Sequence, residues 1–433
     1  MQQHTVAQRA KNTDNHISLQ KLAGAFLSLK PELQRAVARE GYQIPTAVQE
    51  QSIPYILAQR DVIGTAQTGT GKTAAFTLPL LQNLSKDKTR YSKGTPRALI
   101  LAPTRELAAQ IGASIFTYGR FLSLKHTVVF GGVKQFFQVK ALRDGIDILV
   151  ATPGRLLDLM NQGHIHLEKV EYFILDEVDR MLDMGFLPDM QRVLKVIPKN
   201  RQTLFFSATM PPKLITLANT IVKNPAYVSI EPEKPAVERI DQRVFFVGKE
   251  NKDALLLSLL HGRAVNKAII FTQMKHVANK VVKKLQGAGF PGEAIHGNKS
   301  QAARTKTLNG FKRGQFQILV ATDVAARGLD VDDVSHVINY DLPVEAETYV
   351  HRIGRTARAG ANGDAFSFCS SEERAYLRDI EQLLGNRVET DLEHAYHSEE
   401  ASRSLSKPTP YRTQQNSRRN GRSKSRSYRG KRR

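Results

Sequence analysis

The sequence predicts an α/β protein with two tandem domains, each built on a parallel sheet flanked by helices. Short apolar, β-rich runs alternate with helical stretches, a pattern typical of parallel sheets with crossover helices. The alternation stops at a Pro- and charge-rich segment and then restarts. We therefore predict an N-terminal extension (1–23), a first domain (24–228), a linker (229–239), a second domain (240–390) and a low-complexity, disordered tail (391–433).

Strand-like runs recur in both predicted domains. In the first domain they lie at residues 61–65, 97–103, 126–132, 147–153, 171–177 and 202–209. In the second domain they lie at residues 242–248, 266–272, 290–297, 316–323, 334–341 and 363–370. Helical patterns separate them, for example residues 104–122. The two halves are similar in layout, but only the first contains a candidate phosphate-binding loop.

Composition narrows the class of protein. The chain has 433 residues, 41% of them hydrophobic, which is enough for two or three cores. No apolar run reaches the roughly 18 residues of a membrane span, and the polar N-terminus does not resemble a signal peptide. The single cysteine, Cys369, cannot form an intramolecular disulfide and fits a reducing compartment. We therefore expect a cytoplasmic protein without membrane association.

Positive charge is concentrated at the C-terminus. Residues 402–433 contain twelve Lys or Arg and no Asp or Glu, so they carry +12 of the net charge of +22. An Arg-rich tail with interleaved Tyr411 and Tyr428 favours contact with nucleic acid. A purely solubilising tail is the alternative.

The segment AQTGTGKT, residues 66–73, lies between an apolar run and an apolar helical stretch, the context of a phosphate-binding loop. Gly69 and Gly71 would allow backbone N–H groups to face a phosphate. Lys72 would contact the β- and γ-phosphates, and Thr73 would bind Mg²⁺. The first residue of the segment is Ala where the usual pattern has Gly, and a glycine-rich turn before a helix is the alternative.

Three carboxylates, Asp176, Glu177 and Asp179, follow the apolar run of residues 172–175. Like charges this close raise one another's pKa, so a metal, a set of cations or solvent must hold them there. In phosphate-loop enzymes an Asp at a strand end completes the Mg²⁺ site, which suits Asp176. Glu177 is then placed to orient or deprotonate the attacking water. The alternative is an acidic first turn of a helix.

The segment HRIGRTARAG, residues 351–360, carries His351, Arg355 and Arg358 at spacings that predict one shared helix face. Two arginines on one face suit a triphosphate, and a solvated basic helix is the alternative. The first domain supplies the phosphate loop and the second supplies the arginines. We therefore predict a nucleotide site shared across a cleft.

Polar turns follow three strand-like runs of the first domain, at the sheet edge where ligands of open α/β sheets bind. They offer hydroxyl, guanidinium and backbone donors to phosphate: Thr104, Arg105, Gly131, Gly132, Thr152 and Arg155.

In this order, the motifs resemble those of the DEAD-box RNA helicases of superfamily 2, over residues 24–388. The MLDMGF context and short basic tail look most like the bacterial RhlE-like group. The resemblance implies tandem RecA-like domains, ATP and Mg²⁺ as cofactors, and single-stranded RNA and short duplexes as partners. It also implies a monomeric core. Ribosomal precursors and RNA-decay proteins are both open as further partners.

The resemblance also implies roles for individual residues. Phe26 or Tyr42 would stack on adenine and Gln49 would hydrogen-bond it, which predicts ATP over GTP. Other nucleotide contacts fall on Thr68, Gly69, Thr70, Gly71, Lys72, Thr73, Gly328 and Asp330. The residues that reach the γ-phosphate are His351, Arg355 and Arg358. Ser207, Thr209 and Asp179 would couple the two sites, and the second domain would contact RNA through Arg304 and Thr322.

Two positions depart from the family's pattern. Val178 replaces the Ala of the DEAD string, and its extra methyl groups cost about 1–3 kcal/mol if nothing adjusts. We expect ATP hydrolysis to survive, because all three carboxylates remain. Ala357 stands where many members have Gly, and we expect it within a helix, where Ala is the better helix former.

The predicted function is RNA-stimulated hydrolysis of ATP, coupled to domain closure and local separation of short RNA duplexes. A superfamily 2 DNA helicase or translocase is one alternative. The other is a non-catalytic RNA-binding or annealing protein, in which the tail binds RNA and the ATP site is relict.

Overall fold

The computed structural model of the protein describes residues 22–67, 69–86, 93–230, 240–262, 265–326, 331, 334–357 and 362–403. Two seven-stranded sheets with entirely parallel pairing, both accompanied by helices, make up the architecture. The predicted α/β class with two parallel sheets is therefore confirmed. None of the helices in the described ranges is long and apolar enough to span a membrane. Most of the predicted linker and of the two terminal segments lies outside these ranges.

The first domain contains the first seven strands and nine helices of the described chain. The strands are β1 (Val62–Thr65), β2 (Ala98–Leu101), β3 (His126–Val129), β4 (Ile148–Ala151), β5 (Tyr172–Leu175), β6 (Gln202–Ser207) and β7 (Ala226–Ser229). The helices are α1 (Pro31–Arg39), α2 (Ala47–Leu57), α3 (Lys72–Leu84), α4 (Arg105–Tyr118), α5 (Phe136–Arg143), α6 (Pro153–Asn161), α7 (Val178–Asp183), α8 (Leu187–Leu194) and α9 (Pro212–Ile221). A 3₁₀ helix, Gly24–Ser28, precedes them.

The second domain follows the same plan. Its strands are β8 (Ile240–Phe246), β9 (Ala268–Phe271), β10 (Gly292–Ile295), β11 (Ile318–Ala321), β12 (His336–Asn339), β13 (Gly363–Cys369) and β14 (Glu389–Thr390). Its helices are α10 (Lys252–Gly262), α11 (Lys275–Gly287), α12 (Gln301–Lys312), α13 (Asp323–Ala326), α14 (Ala346–Ile353), α15 (Arg374–Leu384) and α16 (Glu399–Arg403). Short 3₁₀ helices lie at Lys249–Asn251 and Ser371–Glu373.

Strand order is the same in both sheets. The first sheet runs β3-β4-β2-β5-β6-β1-β7 and the second runs β10-β11-β9-β12-β13-β8-β14. Adding seven to each strand number of the first sheet gives the order of the second. The similar layout of the two halves in sequence is thus a repeated topology. Because all the strands of a sheet are parallel, the loops that follow them leave from one edge.

This order sorts the loops of the first domain into two groups. β3, β4 and β2 are neighbours, so the turns at Gly131, Thr152 and Thr104 lie on one half of the sheet edge. β5, β6 and β1 are also neighbours, so Asp176, Ser207 and the phosphate loop lie on the other half.

Apolar side chains cover both faces of each sheet. In β2, Ile100 packs into one core, whereas Leu99 and Leu101 pack into the core on the opposite face. Adjacent Phe205 and Phe206 of β6 divide in the same way. Strands that are buried on both faces need almost continuous apolar sequence, which explains why these runs were predicted correctly.

The strands that the sequence analysis missed lie at one edge of each sheet. β7 alternates buried and exposed residues, and β14 is only two residues long. Each is positioned by pairing with one neighbour, β1 or β8, and neither has a continuous apolar run.

The second domain continues past residue 390, so the predicted start of the tail at residue 391 is wrong. Val247 pairs with His397 in an isolated antiparallel bridge, and Ala401 of α16 is 1% exposed. Tyr396 packs against the core that contains Phe245. Residues 391–403 are mostly polar, so their composition does not predict the backbone pairing with Val247 or the apolar contacts of Tyr396. Residues 404–433 lie outside the described ranges.

Truncation should test whether residues 391–403 belong to the second domain. A chain that ends after Arg403 keeps their contacts and is the reference. Ending it after Thr390 removes the buried apolar surface of Tyr396 and Ala401, and should lower the free energy of unfolding by about 2–3 kcal/mol. Urea unfolding of the two truncated chains measures the difference. Equal midpoints would contradict a place for residues 391–403 in the second domain.

Val178 provides a test of core packing. Its side chain is fully buried in the same core as Leu175 and Met181, so its extra methyl groups fill core volume. Val178→Ala should lower the free energy of unfolding by about 2 kcal/mol, because it leaves a cavity. The matched control is Val196→Ala, which changes an exposed side chain and should shift stability by less than about 0.5 kcal/mol. Equal effects in urea unfolding would exclude a packing role for Val178.

Candidate functional site

The phosphate loop connects β1 to α3. Gly69 and Gly71 have φ angles of 87° and 91°, a left-handed conformation that glycine adopts without strain. The Gln49 side chain donates from Nε2 to the Gly71 carbonyl oxygen at 3.2 Å, and a Cβ on Gly71 would collide with it. The buried Lys72 ammonium donates to the carbonyl oxygen of Ala66. This loop therefore combines a cation, glycine conformations and a helix N-terminus suited to phosphate.

The candidates for adenine contact differ in accessibility. Phe26 is 1% exposed and belongs to the core of the first domain, so its ring has no free face for a base. Tyr42 is 50% exposed. Gln49 is held in place because its Oε1 accepts a hydrogen bond from the Thr46 N–H at 2.9 Å. Of the two predicted stacking residues, only Tyr42 has an available ring.

The acidic cluster begins at the carboxyl end of β5. Asp176 is 2% exposed, and its Oδ1 accepts a hydrogen bond from the Glu177 N–H at 3.0 Å. Glu177 adopts a left-handed conformation with φ of 53°, and its carboxylate pairs with Arg180 at 2.8 Å in buried surroundings. Such backbone strain in a non-glycine residue is typical of functional sites.

Burial raises the pKa of the Asp176 carboxyl to about 7. The Lys72 ammonium opposes this rise, whereas the neighbouring carboxylates Glu177 and Asp179 add to it. Asp176 therefore lies in surroundings that favour additional positive charge.

Asp176 and Thr73 could hold Mg²⁺. Both offer oxygen ligands, and a divalent cation would compensate the buried carboxylate. Within the described ranges, no group of three or more His, Cys, Asp or Glu side chains could hold a metal on its own. Mg²⁺ commonly uses one or two protein ligands and completes its coordination with substrate phosphates and water.

Asp179 connects the acidic cluster to the end of β6. Its Oδ2 accepts hydrogen bonds from the Ala208 and Thr209 N–H groups at 3.0 and 2.9 Å, and from Thr209 Oγ1 at 3.2 Å. The Asp179 N–H donates to Ser207 Oγ at 3.2 Å. The three predicted coupling residues therefore form one hydrogen-bonded unit.

The arginine motif of the second domain differs from the prediction of one shared helix face. α14 ends at Ile353, so Arg355 lies beyond the helix that carries His351. Ala357 has a φ of 54°, and the expectation that it lies within a helix is wrong. In a left-handed conformation Gly would be the less strained residue, because it has no Cβ. Arg358, Thr68, Gly328 and Asp330 lie outside the described ranges.

His351 lies at the acidic cluster of the first domain. Burial and the nearby Arg180 guanidinium together lower the pKa of the His351 imidazole to about 4, whereas Asp179 opposes the shift. Arg355, which is also buried, adds to the lowering and donates from Nε to the His351 carbonyl oxygen at 3.3 Å. Groups from both domains therefore face one another at the acidic cluster.

A second contact between the domains joins the polar turn after β2 to α12. Arg105 Nη1 donates to Gln301 Oε1 at 3.2 Å, and Gln301 Nε2 donates to Glu106 Oε1 at 3.0 Å. Arg304 pairs with the same Glu106 oxygen at 3.0 Å. Arg105 and Arg304, both predicted RNA-binding residues, are thus brought together. Glu106 was not predicted, and its place in the turn beside Arg105 was the only available signal.

Two other polar turns of the first domain carry Gly132 and Arg155. Gly132 has a φ of 75°, and a Cβ at this position would overlap the Arg105 guanidinium. Arg155 of α6 pairs with Asp158 at 3.3 Å and donates to the Val133 carbonyl oxygen at 3.4 Å.

Three threonines also lie at strand ends. Thr104 caps α4 by accepting a hydrogen bond from the Leu107 N–H at 3.2 Å. Thr152 and Thr322 are buried at the ends of β4 and β11.

Arg352 is a buried residue that the sequence analysis did not single out. Its guanidinium binds both carboxylate oxygens of Asp323, at 2.6 and 2.7 Å, and also donates to Asn339 Oδ1 at 3.1 Å. The ion pair ties α14 to α13. A signal was present, because Arg352 is in helical phase with the apolar residues Tyr349 and Ile353.

Comparison with known proteins agrees with this geometry. Residues 46–217 match the DEAD/DEAH box helicase family, and residues 251–360 match the helicase conserved C-terminal domain. The chain is 40% identical to ATP-dependent RNA helicase DbpA of Bacillus subtilis, over 83% of this chain and 74% of that protein. It is also 40% identical to DEAD-box ATP-dependent RNA helicase CshA of Geobacillus kaustophilus, over 84% of this chain and 77% of that protein.

Solved structures are similar over both domains. S. cerevisiae Dbp5 bound to RNA and ADP BeF3 has a TM-score of 0.72 and 32% identity, covering 84% of this chain and 93% of that one. A point variant of Dbp5 bound to nup159, a gle1 variant, ip6 and ADP has a TM-score of 0.56 at the same 32% identity, covering 84% and 94%. The chain therefore belongs to the DEAD-box family of ATP-dependent RNA helicases.

Proposed function

We propose that this helicase hydrolyses ATP in a Mg²⁺- and RNA-dependent reaction, and that closure of its two domains separates short RNA duplexes locally. The observation that carries the proposal is that groups of the two domains lie close together at two places. His351 lies at the acidic cluster on the nucleotide side, and Arg304 pairs with Glu106 among the predicted RNA contacts. One movement of the domains would therefore complete both sites.

The first domain would bind ATP before closure. Tyr42 stacks on adenine, and Gln49 hydrogen-bonds its edge while bracing the loop at Gly71. The loop backbone and Lys72 bind the phosphates. When bound, Mg²⁺ would neutralise charge on the β- and γ-phosphates, and Asp176 and Thr73 are the residues that would hold it.

Hydrolysis would depend on Glu177 and on the arginines of the second domain. The ion pair with Arg180 fixes the Glu177 carboxylate, which orients the attacking water and accepts its proton. Arg355 and Arg358 stabilise negative charge on the γ-phosphate after closure. The lowered pKa of His351 keeps its imidazole neutral, so it adds no further charge beside these cations.

RNA would lie along the turns that follow β2, β3 and β4 and along the N-terminal end of α12. Thr104, Arg105 and Arg155 offer donors to phosphate and sugar, and such contacts carry no sequence information. ATP and RNA both favour the closed arrangement, so each strengthens the binding of the other. The higher TM-score to Dbp5 bound to RNA and ADP BeF3 indicates a domain arrangement nearer to that of the RNA-bound form than to that of the ADP-bound variant.

The finer assignments follow from the sequence. The MLDMGF context and the basic tail favour the RhlE-like group, and the tail would add salt-sensitive affinity for RNA backbone. We assign a monomeric core. Ribosomal precursors and RNA-decay proteins remain the two candidate groups of partners.

Removing the Lys72 ammonium, which would bind the phosphates, or the Glu177 carboxylate, which would act as the base, should stop ATP turnover. Lys72→Ala and Glu177→Gln should each lower RNA-stimulated ATP hydrolysis by about 100-fold or more. Steady-state phosphate release measures the effect. Lys195→Ala, which removes an exposed cation of the same domain, is the control and should retain wild-type turnover. Wild-type rates in both site variants would exclude these roles.

The nucleic acid that stimulates ATP hydrolysis distinguishes an RNA helicase from a DNA helicase or translocase of the same superfamily. ATP hydrolysis with Mg²⁺ should be stimulated strongly by single-stranded RNA and weakly by DNA of the same sequence. The reason is that closure depends on contacts with the RNA backbone, including its 2′-hydroxyl groups. Equal stimulation by DNA would favour a DNA translocase. No hydrolysis under either condition would favour a relict ATP site.

A further inference from the structure

An exposed aromatic pair begins α5. Phe136 is 67% exposed and Phe137 is 73% exposed, and the only other phenylalanine of the described ranges with comparable exposure is Phe116. Val133, three residues before the pair, is exposed as well. Single exposed apolar residues are ordinary, but adjacent ones form a patch that costs solubility and needs a reason.

The core of the first domain does not need this pair. α5 is anchored by Gln138, Val139 and Leu142, which are buried. Gln138 also donates from Nε2 to the Phe130 carbonyl oxygen at 3.1 Å. The helix is thus fixed by its other face, and both phenylalanine rings stay available.

The aromatic pair is continuous with the predicted RNA-binding turns. It follows Gly131 and Gly132 by four residues. Arg155 donates both to the Val133 carbonyl oxygen at 3.4 Å and to Gln138 Oε1 at 3.5 Å, so it contacts residues on either side of the pair. A strand of RNA on these contacts would pass beside the rings.

The surrounding charge suits a polyanion. Lys134, Lys140 and Arg143 are exposed around the pair, and α5 itself contains no acidic residue. Asp144, at the end of the helix, is the nearest acidic residue along the chain. Aromatic rings interleaved with cations are typical of surfaces that bind single-stranded nucleic acid.

We propose that Phe136 and Phe137 form a stacking platform for one base of the RNA strand held by the neighbouring turns. The ring centroids lie 5.4 Å apart at an interplanar angle of 81°, so the two rings form a corner. A base can stack on the face of one ring and meet the edge of the other. The platform would add affinity without sequence selection, because every base has a π face. This inference rests on the proposed binding of RNA at Gly131, Gly132 and Arg155.

The test combines protein variants with abasic RNA. Full-length protein binds a fluorescent single-stranded RNA in the presence of a non-hydrolysable ATP analogue, at raised salt so that the tail's phosphate contacts weaken. Phe136→Ala/Phe137→Ala should weaken binding about tenfold. Phe116→Ala is the matched control and should bind like wild type. Phe136→Tyr/Phe137→Tyr keeps both rings and should retain affinity.

RNAs that lack one base at a single position are then tested against the wild-type protein and the double alanine variant. Loss of the base and loss of the rings are the two changes of a double-mutant cycle. One position should weaken binding by the wild-type protein about tenfold and have no further effect on the double alanine variant. Equal abasic effects in both proteins, or unchanged RNA affinity of the double alanine variant, would overturn the platform. The patch would then belong to a protein partner or a second copy of the chain.

RNA-stimulated ATP hydrolysis by the wild-type protein separates the two proposals. If the wild-type protein responds to RNA and the cycle shows no coupling, only the platform fails. If the wild-type protein neither binds RNA nor responds to it, the proposed function fails, and the platform fails with it.

Discussion

The burial of three carboxylates at the end of β5 imposes the main energetic requirement on this fold. Taking Asp176, Glu177 and Asp179 out of water is costly unless cations and hydrogen-bond donors surround them. The compensating groups come from separate parts of the chain. They are the Lys72 ammonium, the Arg180 guanidinium and the donors that follow β6. The acidic cluster therefore joins the phosphate loop, α7 and β6 into one unit, which the second domain meets at His351.

The repeated topology places two separate groups of turns along one edge of the first sheet. The first sheet separates the turns after β2, β3 and β4 from those after β5, β6 and β1, although β1 comes before β2 along the chain. The second sheet repeats that order and contacts the first domain near both groups of turns. Asp179 lies in the acidic cluster and holds the turn after β6. Hydrogen bonds through Asp179 therefore connect the turns that follow β5 and β6.

The differences between sequence and structure share a physical cause. A left-handed backbone conformation is found at Ala357. Pairing with a distant segment positions β7, β14 and residues 391–403. Arg352 is similar, because its partners Asp323 and Asn339 lie elsewhere in the chain. Hydrophobic periodicity and charge in a short segment do not predict such contacts, because the contacts depend on residues far away in the chain.

Local sequence was enough to specify the α/β class, the central parallel strands of both sheets and the motifs of the phosphate loop and acidic cluster. These follow from apolar runs, from glycine spacing and from carboxylates at strand ends, all of which short segments encode. Three-dimensional packing was needed to establish that Tyr42 and not Phe26 has a free ring, that the arginine motif leaves its helix, and that Glu106 faces Arg304. Accessibility and contacts across domains arise from packing between distant segments, so no local pattern can specify them.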